Sequence, residues 1–412
     1  MAATLITNAR IVDGKADRPT DPVNVLVEGG IIREVGAKLR SEKARVIDLG
    51  RRTLMPGLID AHVHVVAVSA NLGTNAELPD SLVTARSFKV MNGMLMRGFT
   101  TVRDVGGADH GLEVAVEEGP IPAPRLVRSG KALSQTGGHC DFRGRFNDRP
   151  AMESGFRLGA LGRLCDGVAE VRKAAREEIK QGAAFVKIMA NGGVASPTDP
   201  IHFLGFAREE ILAAVEEAKN AGTYVSAHLY TAEAIRRAVE CGVHSLEHCN
   251  LITPEVAERA AKAGAVAVPT LVTYDKLASD GPRLGFPAES VAKIDNVRLK
   301  GLESLSIMRA AGLTMAYGSD LLGAMHAYQS EEFVIRGRVL PAQEVIASAT
   351  HIAAKLCHME GRIGVVAPGA HADLVVVDGD PLKDLALLTG QGRHMPLIMR
   401  GGKVVKRKAM NG

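Results

Sequence analysis

The sequence predicts a (β/α)8 TIM barrel, an α/β fold, with a small β-sandwich formed by both chain ends. Three observations predict it. Apolar, β-branched runs alternate with helical segments through the middle of the chain, eight such runs can be found, and short strands with polar punctuation occupy both ends. At 412 residues the chain exceeds one ordinary core, whereas a barrel with a satellite unit would use all of it.

Residues 1–55 read as short strands in ATLITNARIVDG, NVLVEGGIIREVG and ARVIDLG, with Asp-Gly and Gly-Gly turn signals between them. Residues 56–358 hold the alternating region. Its strand candidates are GLIDAHVHVV, FTTVRDV, RLVRSG, AAFVKIMANGG, YVSAHLY, VHSLEHC, AVAVPTLV and LTMAYGSD, and parallel strands of this kind require crossover helices. Among the helices, EEILAAVEEAKNAG and TAEAIRRAVECG each carry an apolar stripe at helical spacing and end on glycine, as a C-terminal cap should. Residues 359–412 return to strands in HADLVVVDGD and PLIMRGGKVVKRK, which are expected to pair with the amino-terminal strands. No repeat of solenoid period is present.

Composition narrows the function classes. Fifty Lys+Arg against 46 Asp+Glu leave +4, and no run of like charge marks a nucleic-acid or membrane surface, so neither partner is expected. Cys140, Cys165, Cys241, Cys249 and Cys357 are odd in number and form no C-x-x-C pair, which argues for buried thiols over disulfides or a cysteine zinc site. MAATLITNARIVDG is a strand pattern and not an export signal, and no apolar stretch of ~20 residues is present. A cytoplasmic location is the expectation, although a leader removed before this numbering would leave no trace in it.

Metal-capable side chains fall at the downstream ends of the strands, the barrel face where active sites occur. His62 and His64 sit at i and i+2 of GLIDAHVHVV, so on a strand they share a face and can grip one ion. A lone HxH carries little weight. It gains weight because His228 ends YVSAHLY, His248 lies in SLEHC and Asp320 ends AYGSD. Lys187 in FVKIMANGG is the decisive residue, since an ammonium inside an apolar strand is costly unless its charge is paired or removed. If desolvation lowers its pKa, the neutral amine can take up carbon dioxide as a carbamate, a carboxylate able to bridge two metals. The alternative for Lys187 is a stem that snorkels to the barrel mouth.

These residues resemble the amidohydrolase superfamily in its binuclear branch, and the likeness extends to LMPGLIDAHVH, SATHIAAKLC and HADLVVVDGDPL. Within it the chain is similar to the imidazolonepropionase-related group of Xaa-Pro dipeptidases, carboxypeptidases and ochratoxin-hydrolysing amidohydrolases, the bacterial ochratoxin-hydrolysing type above all. The resemblance implies two divalent ions: His62, His64 and Asp320 on one, His228 and His248 on the other, and carboxylated Lys187 bridging both. Zinc is the ion expected, with manganese and cobalt also suited to imidazole and carboxylate ligands. A homo-oligomer is implied as well.

Such a site would activate water for attack on an amide carbonyl, with Asp320 moving the proton to the departing amine. Tyr230 and His139, in SQTGGHC, are the candidates for stabilising the tetrahedral oxyanion, against plain packing and loop-holding roles. The leaving group implied is an amino acid with a free carboxylate in an N-acyl amino acid or dipeptide, with ochratoxin A, which would give ochratoxin alpha and L-phenylalanine, as leading test substrate. Arg103, Arg143, Arg145 and Arg208 are candidate carboxylate partners near the barrel mouth. Met189 and Phe203–Phe206 are candidates for an apolar pocket, and TGGHCDFRGRFNDRPAMESGFRLGALGR and ASPTDPIHFLGF for specificity loops. His202 and His326 lie in loops after strands four and eight, with a surface position the expectation for both. Two alternatives stand beside this reading: a cyclic-amide hydrolase or deaminase of the same superfamily, against which Lys187 argues, and a metal-free scaffold homologue, against which the filled ligand positions argue.

Overall fold

The computed structural model describes residues 3–147, 150 and 155–409. The amino-terminal segment forms β1 (Thr4–Ile11), β2 (Val23–Glu28), β3 (Ile31–Gly36), β4 (Arg45–Asp48) and β5 (Thr53–Pro56). All eight expected barrel strands follow as β6 (Leu58–Val63), β7 (Phe99–Asp104), β8 (Arg125–Arg128), β11 (Val186–Met189), β12 (Val225–Thr231), β13 (Ser245–Leu251), β14 (Val266–Val268) and β15 (Thr314–Met315). Two further short strands, β9 (Ala132–Ser134) and β10 (Gly162–Leu164), lie where the sequence suggested only a loop. The chain closes with β16 (Leu374–Val377), β17 (Leu397–Arg400) and β18 (Lys403–Arg407).

The barrel is a TIM barrel drawn as two parallel arcs, β6-β7-β8 and β10-β9-β11-β12-β13-β14-β15. Backbone hydrogen bonds join the arcs: Ala61 N–H to Tyr317 O at 2.8 Å and Asp320 N–H to His62 O at 2.9 Å on one side, Ala184 N–H to Arg128 O at 2.8 Å on the other. The strands are largely buried on both faces because helices cover them outside and packed side chains fill them inside. Helix Ala232–Glu240 shows how these helices are made. The Thr231 hydroxyl caps its first turn, Ile235, Ala238 and Val239 face the strands, and Gly242 follows its end at φ 90°. Helix Arg208–Asn220 ends similarly at Gly222, φ 71°.

The lower end of the barrel is closed. Phe185 and Tyr224 stack there against helix His351–Leu356, whose Leu356 carbonyl accepts the Tyr224 hydroxyl at 2.7 Å. The site must therefore be reached from the opposite end.

Both chain ends build one eight-stranded sheet, in the order β18-β17-β16-β5-β1-β2-β3 with β4 also on β1. Its inward residues, among them Ile6, Val25, Ile32, Leu54, Leu374 and Met399, make a core of their own. β1 serves both halves. Thr4–Ile6 pair with β2 and β4, Arg10 and Ile11 pair with β5, and the break between them falls at Asn8, whose φ of 55° suits asparagine better than most residues. The two hairpin turns Gly29-Gly30 and Gly401-Gly402 press together so closely that a Cβ on Gly30 would lie 2.8 Å from the Gly401 carbonyl oxygen. Among the described residues, no helix is long and apolar enough to cross a membrane.

Candidate metal centre

One cavity at the downstream ends of the strands is lined by His62, His64, His139, Lys187, His228, Tyr230, His248 and Asp320, so every metal ligand and every proton or oxyanion group expected from the sequence reaches it. Strand register explains most of this. Met189 pairs with His228 and His228 with Glu247, while one layer below Lys187 pairs with Ser226 and Ser226 with Ser245. Residues paired across a parallel ladder share a face, so these rows point into the barrel.

His248 departs from that rule. Glu247 already faces inward, so regular alternation would turn His248 outward. Positive φ at His248 (69°) and Cys249 (59°) breaks the alternation and returns the imidazole to the cavity. Asp320 is also left-handed, at φ 52°. Such conformations are uncommon for residues other than glycine and here set two side chains into the site. Gly318 beneath them is required by contact, since a Cβ there would lie 2.8 Å from His62 Cβ.

Among the described residues, His62, His248 and Asp320 form a compact cluster of potential ligands whose atoms all lie within 4.8 Å of one another. His62 Nε2 and His64 Nε2 stand 3.4 and 3.3 Å from Asp320 Oδ1. Their other ring nitrogens are held from behind, His62 Nδ1 by Glu247 Oε2 at 2.7 Å and His64 Nδ1 by the Gly106 carbonyl at 2.9 Å. This is how metal-binding histidines are commonly oriented. Thr270 Oγ1 contacts His248 Nδ1 at 2.7 Å, and His228 Nε2 lies 3.3 Å from the Gly192 carbonyl.

Charge follows the same plan. Burial, reinforced by neighbouring cations, holds His228 and His248 well below the usual histidine range, so both rings are neutral and free to donate a lone pair. Burial also pulls His62 down, yet Asp320 and Glu247 more than offset it and its pKa is raised. Burial alone would raise Asp320, but His62 and His64 bring it well below the ordinary carboxylate range. Glu247 is likewise lowered, by Arg103 and His62 against its own burial.

Lys187 lies beneath these groups, 1% exposed, and its Nζ has no hydrogen-bond partner. Burial brings its pKa down to about 8, with Arg103 acting in the same direction and Glu247 opposing. A buried amine without a partner is an expensive group, and a cluster of imidazoles, two of them held neutral, with a carboxylate beside it has the donor chemistry of a divalent cation site.

His139 stacks on His228, and its Nδ1 meets Ser196 Oγ at 2.7 Å and Asp199 Oδ2 at 3.4 Å. Tyr230 accepts a hydrogen bond from the Tyr274 hydroxyl at 3.0 Å. Met189 lines the cavity with Phe142, Leu72, Leu161, Leu277 and Leu322, whereas Phe203 is exposed. Of the first expected specificity loop, residues 148, 149 and 151–154 lie outside the described residues.

Two expectations are corrected. Arg103 is not at the barrel mouth but wholly buried, donating to Glu247, the Ala61 carbonyl and Ser245, with its guanidinium 4.0 Å over the Phe185 ring. The buried Glu247 supplies the opposite charge that makes this position tenable. Nor is His326 on the surface: it is 4% exposed and its Nε2 contacts the Ala67 carbonyl at 3.1 Å, which buries the ring as a loop brace. Arg143 is tied to Asp141 and Arg208 to Glu240. The residues that sequence reasoning missed are Glu247, Thr270, Tyr274, Ser196 and Asp199. Only Glu247 left a signal, as a carboxylate inside an apolar strand.

The amidohydrolase family matches residues 53–405. An ochratoxinase from Aspergillus niger is 32% identical over 377 residues, covering 86% of this chain and 75% of that one. A prolidase crystallised with N-methylphosphonate-L-proline superposes with a TM-score of 0.97 at 49% identity, covering 98% of this chain and 100% of the other. A Xaa-Pro dipeptidase with methionine bound in its active site gives 0.86 at 28% identity, over 98% and 100%.

Proposed function

The chain belongs to the amidohydrolase family, whose members here include hydrolases of amide bonds, and on that premise we propose a binuclear metal-dependent enzyme that releases a C-terminal amino acid with a free carboxylate from its amide. The observation that carries the binuclear reading is the buried, unpartnered Nζ of Lys187 below the histidine cluster. Its neutral amine can add to carbon dioxide, forming one N–C bond and losing one proton. The resulting carbamate is a carboxylate suited to lie between two cations. His62, His64 and Asp320 would hold one ion, His228 and His248 the other, with zinc the metal proposed. When bound, the pair supplies a water acidified toward neutral pH and polarises the scissile carbonyl.

The chain's own groups do the rest. Asp320 accepts the proton of the attacking water and returns it to the departing amine, which must be protonated to leave. Tyr230 and His139 face the carbonyl oxygen as donors, where charge develops. The walls of Phe142, Leu161, Met189, Leu277 and Leu322 favour an apolar side chain on the released residue. Relatives crystallised with an L-proline phosphonate and with methionine support that preference.

Ochratoxin A, a phenylalanine amide, and N-acyl derivatives of Phe, Met and Pro are the substrates to test, each beside its carboxyl ester. Cleavage of the free acids with the esters spared is the expected result. Equal cleavage of both forms would remove the carboxylate requirement, and no cleavage of any N-acyl amino acid would turn the assignment toward a cyclic-amide hydrolase.

A further inference from the structure

Lys293 stands on helix Ala288–Arg298, outside the set of residues assigned above. Its Nζ donates to three backbone carbonyls of one loop: Gly193 at 2.9 Å, Ser196 at 2.7 Å and Asp199 at 3.2 Å. An ammonium has three protons, and here each has an acceptor on the same loop. That loop forms part of the cavity wall through Val194 and Ala195.

The loop's inner side meets His139. Ser196 Oγ and Asp199 Oδ2 both approach its Nδ1, and Asp199 Oδ2 also accepts the Gly193 N–H at 3.0 Å. The fit leaves no slack. A Cβ on Gly193 would lie 1.7 Å from His139 Nδ1, and one on Gly192 would lie 1.9 Å from the Pro200 carbonyl oxygen. The second oxygen of Asp199 is buried without a partner, so its carboxylate is held by the loop's shape and not by a full set of hydrogen bonds.

We propose that Lys293 is a positioning residue for His139: its ammonium gathers three loop carbonyls and thereby seats Ser196 and Asp199 against the imidazole, fixing the ring on His228 and toward the substrate. The consequence for turnover rests on the reading of His139 as a donor to the carbonyl oxygen. The seating itself does not.

Lys293→Met keeps the stem and removes the donors, and Lys293→Gln, which can serve fewer carbonyls, is the second variant should the first fail to fold. In either, hydrogen exchange of the 190–201 segment should accelerate and the 15N signal of His139 Nδ1 should shift, while the melting temperature changes little. With N-acetyl-Phe as substrate, kcat should fall about tenfold with a smaller change in KM, and by less than about twofold when His139 is already Gln. Equal losses in both backgrounds would show a general structural role and overturn the proposal. If the unaltered enzyme hydrolyses no N-acyl amino acid, the functional reading falls, and the exchange and 15N measurements still decide. An unchanged His139 signal in Lys293→Met would refute the clamp.

Discussion

The imidazoles of His139 and His228 lie nearly parallel, with planes 22° apart and centroids 4.0 Å apart. One belongs to a loop and the other to β12, so the stack ties a mobile class of structure to a rigid one. Any change that releases the loop frees the His139 ring and uncovers His228 to the cavity at the same time.

The purified protein should carry close to two divalent ions per chain, and Lys187→Ala should lose tight binding of the pair together with most activity. Short carboxylic acids added to this variant should restore part of both, because they replace the carbamate that the lysine can no longer form. Metal analysis and turnover with and without propionate provide the check. Wild-type behaviour of Lys187→Ala would reduce the lysine to a packing residue.

Asp320→Asn is nearly isosteric, so folding and melting should be retained while turnover falls by several orders of magnitude, the scale expected when a proton carrier and a ligand are lost together. Steady-state kinetics beside a thermal melt tests this. Activity within a few-fold of the parent enzyme would exclude Asp320 as the carrier.

Glu247→Gln leaves the shape intact but takes the charge from between His62 and Arg103. Metal affinity should weaken about 10–100-fold, as for other groups that orient a ligand from behind. The melting temperature should also drop, because the buried Arg103 guanidinium loses its counter-charge. Competition with a chelator measures the first effect. An unchanged affinity would mean that the His62 ring is held by packing alone.

Tyr274→Phe removes the hydroxyl that donates to Tyr230. With that donor gone, the Tyr230 hydroxyl is free to rotate, and kcat should fall several-fold with the fold intact. In a Tyr230→Phe background the same change should cost almost nothing. Additive losses would point to separate roles.

Burial drives His326 down to about 4, against ~6.5 for an unfolded histidine. The folded chain therefore holds the neutral ring. This contribution is complete above about pH 6.5 and is lost as the pH falls toward 4, on the order of 3 kcal/mol in all. Thermal melts between pH 7 and 4 should fall less steeply for His326→Asn than for the parent protein. Parallel curves would show that the ring does not titrate in this window.

The barrel was readable from the sequence because its strands are largely buried on both faces and therefore leave short runs rich in apolar and β-branched residues. Lys187 and the histidines were readable because polar residues in such runs need a reason. What could not be read depends on residues far apart in the chain. Arg103 looked like a mouth residue until Glu247, 144 positions away, supplied its partner. His248 was found by residue type, although strand alternation would have turned it outward, and only the backbone angles show how it returns. Lys293, Ser196 and Asp199 lie in stretches without periodicity, so nothing before the folded structure connected them to His139.

The shared terminal sheet has a consequence for biosynthesis. β5 lies between β1 and β16, pairing Thr53 with Val377 and Pro56 with Leu374. While the chain emerges from the ribosome, one side of β5 has no neighbour until the whole barrel sequence has been translated. Its unpaired backbone is a template for strands of other chains during that interval. Strand β16 is thus the one that retires this hazard, and a chain released before Val377 would leave the ribosome with a sticky edge at Thr53–Pro56.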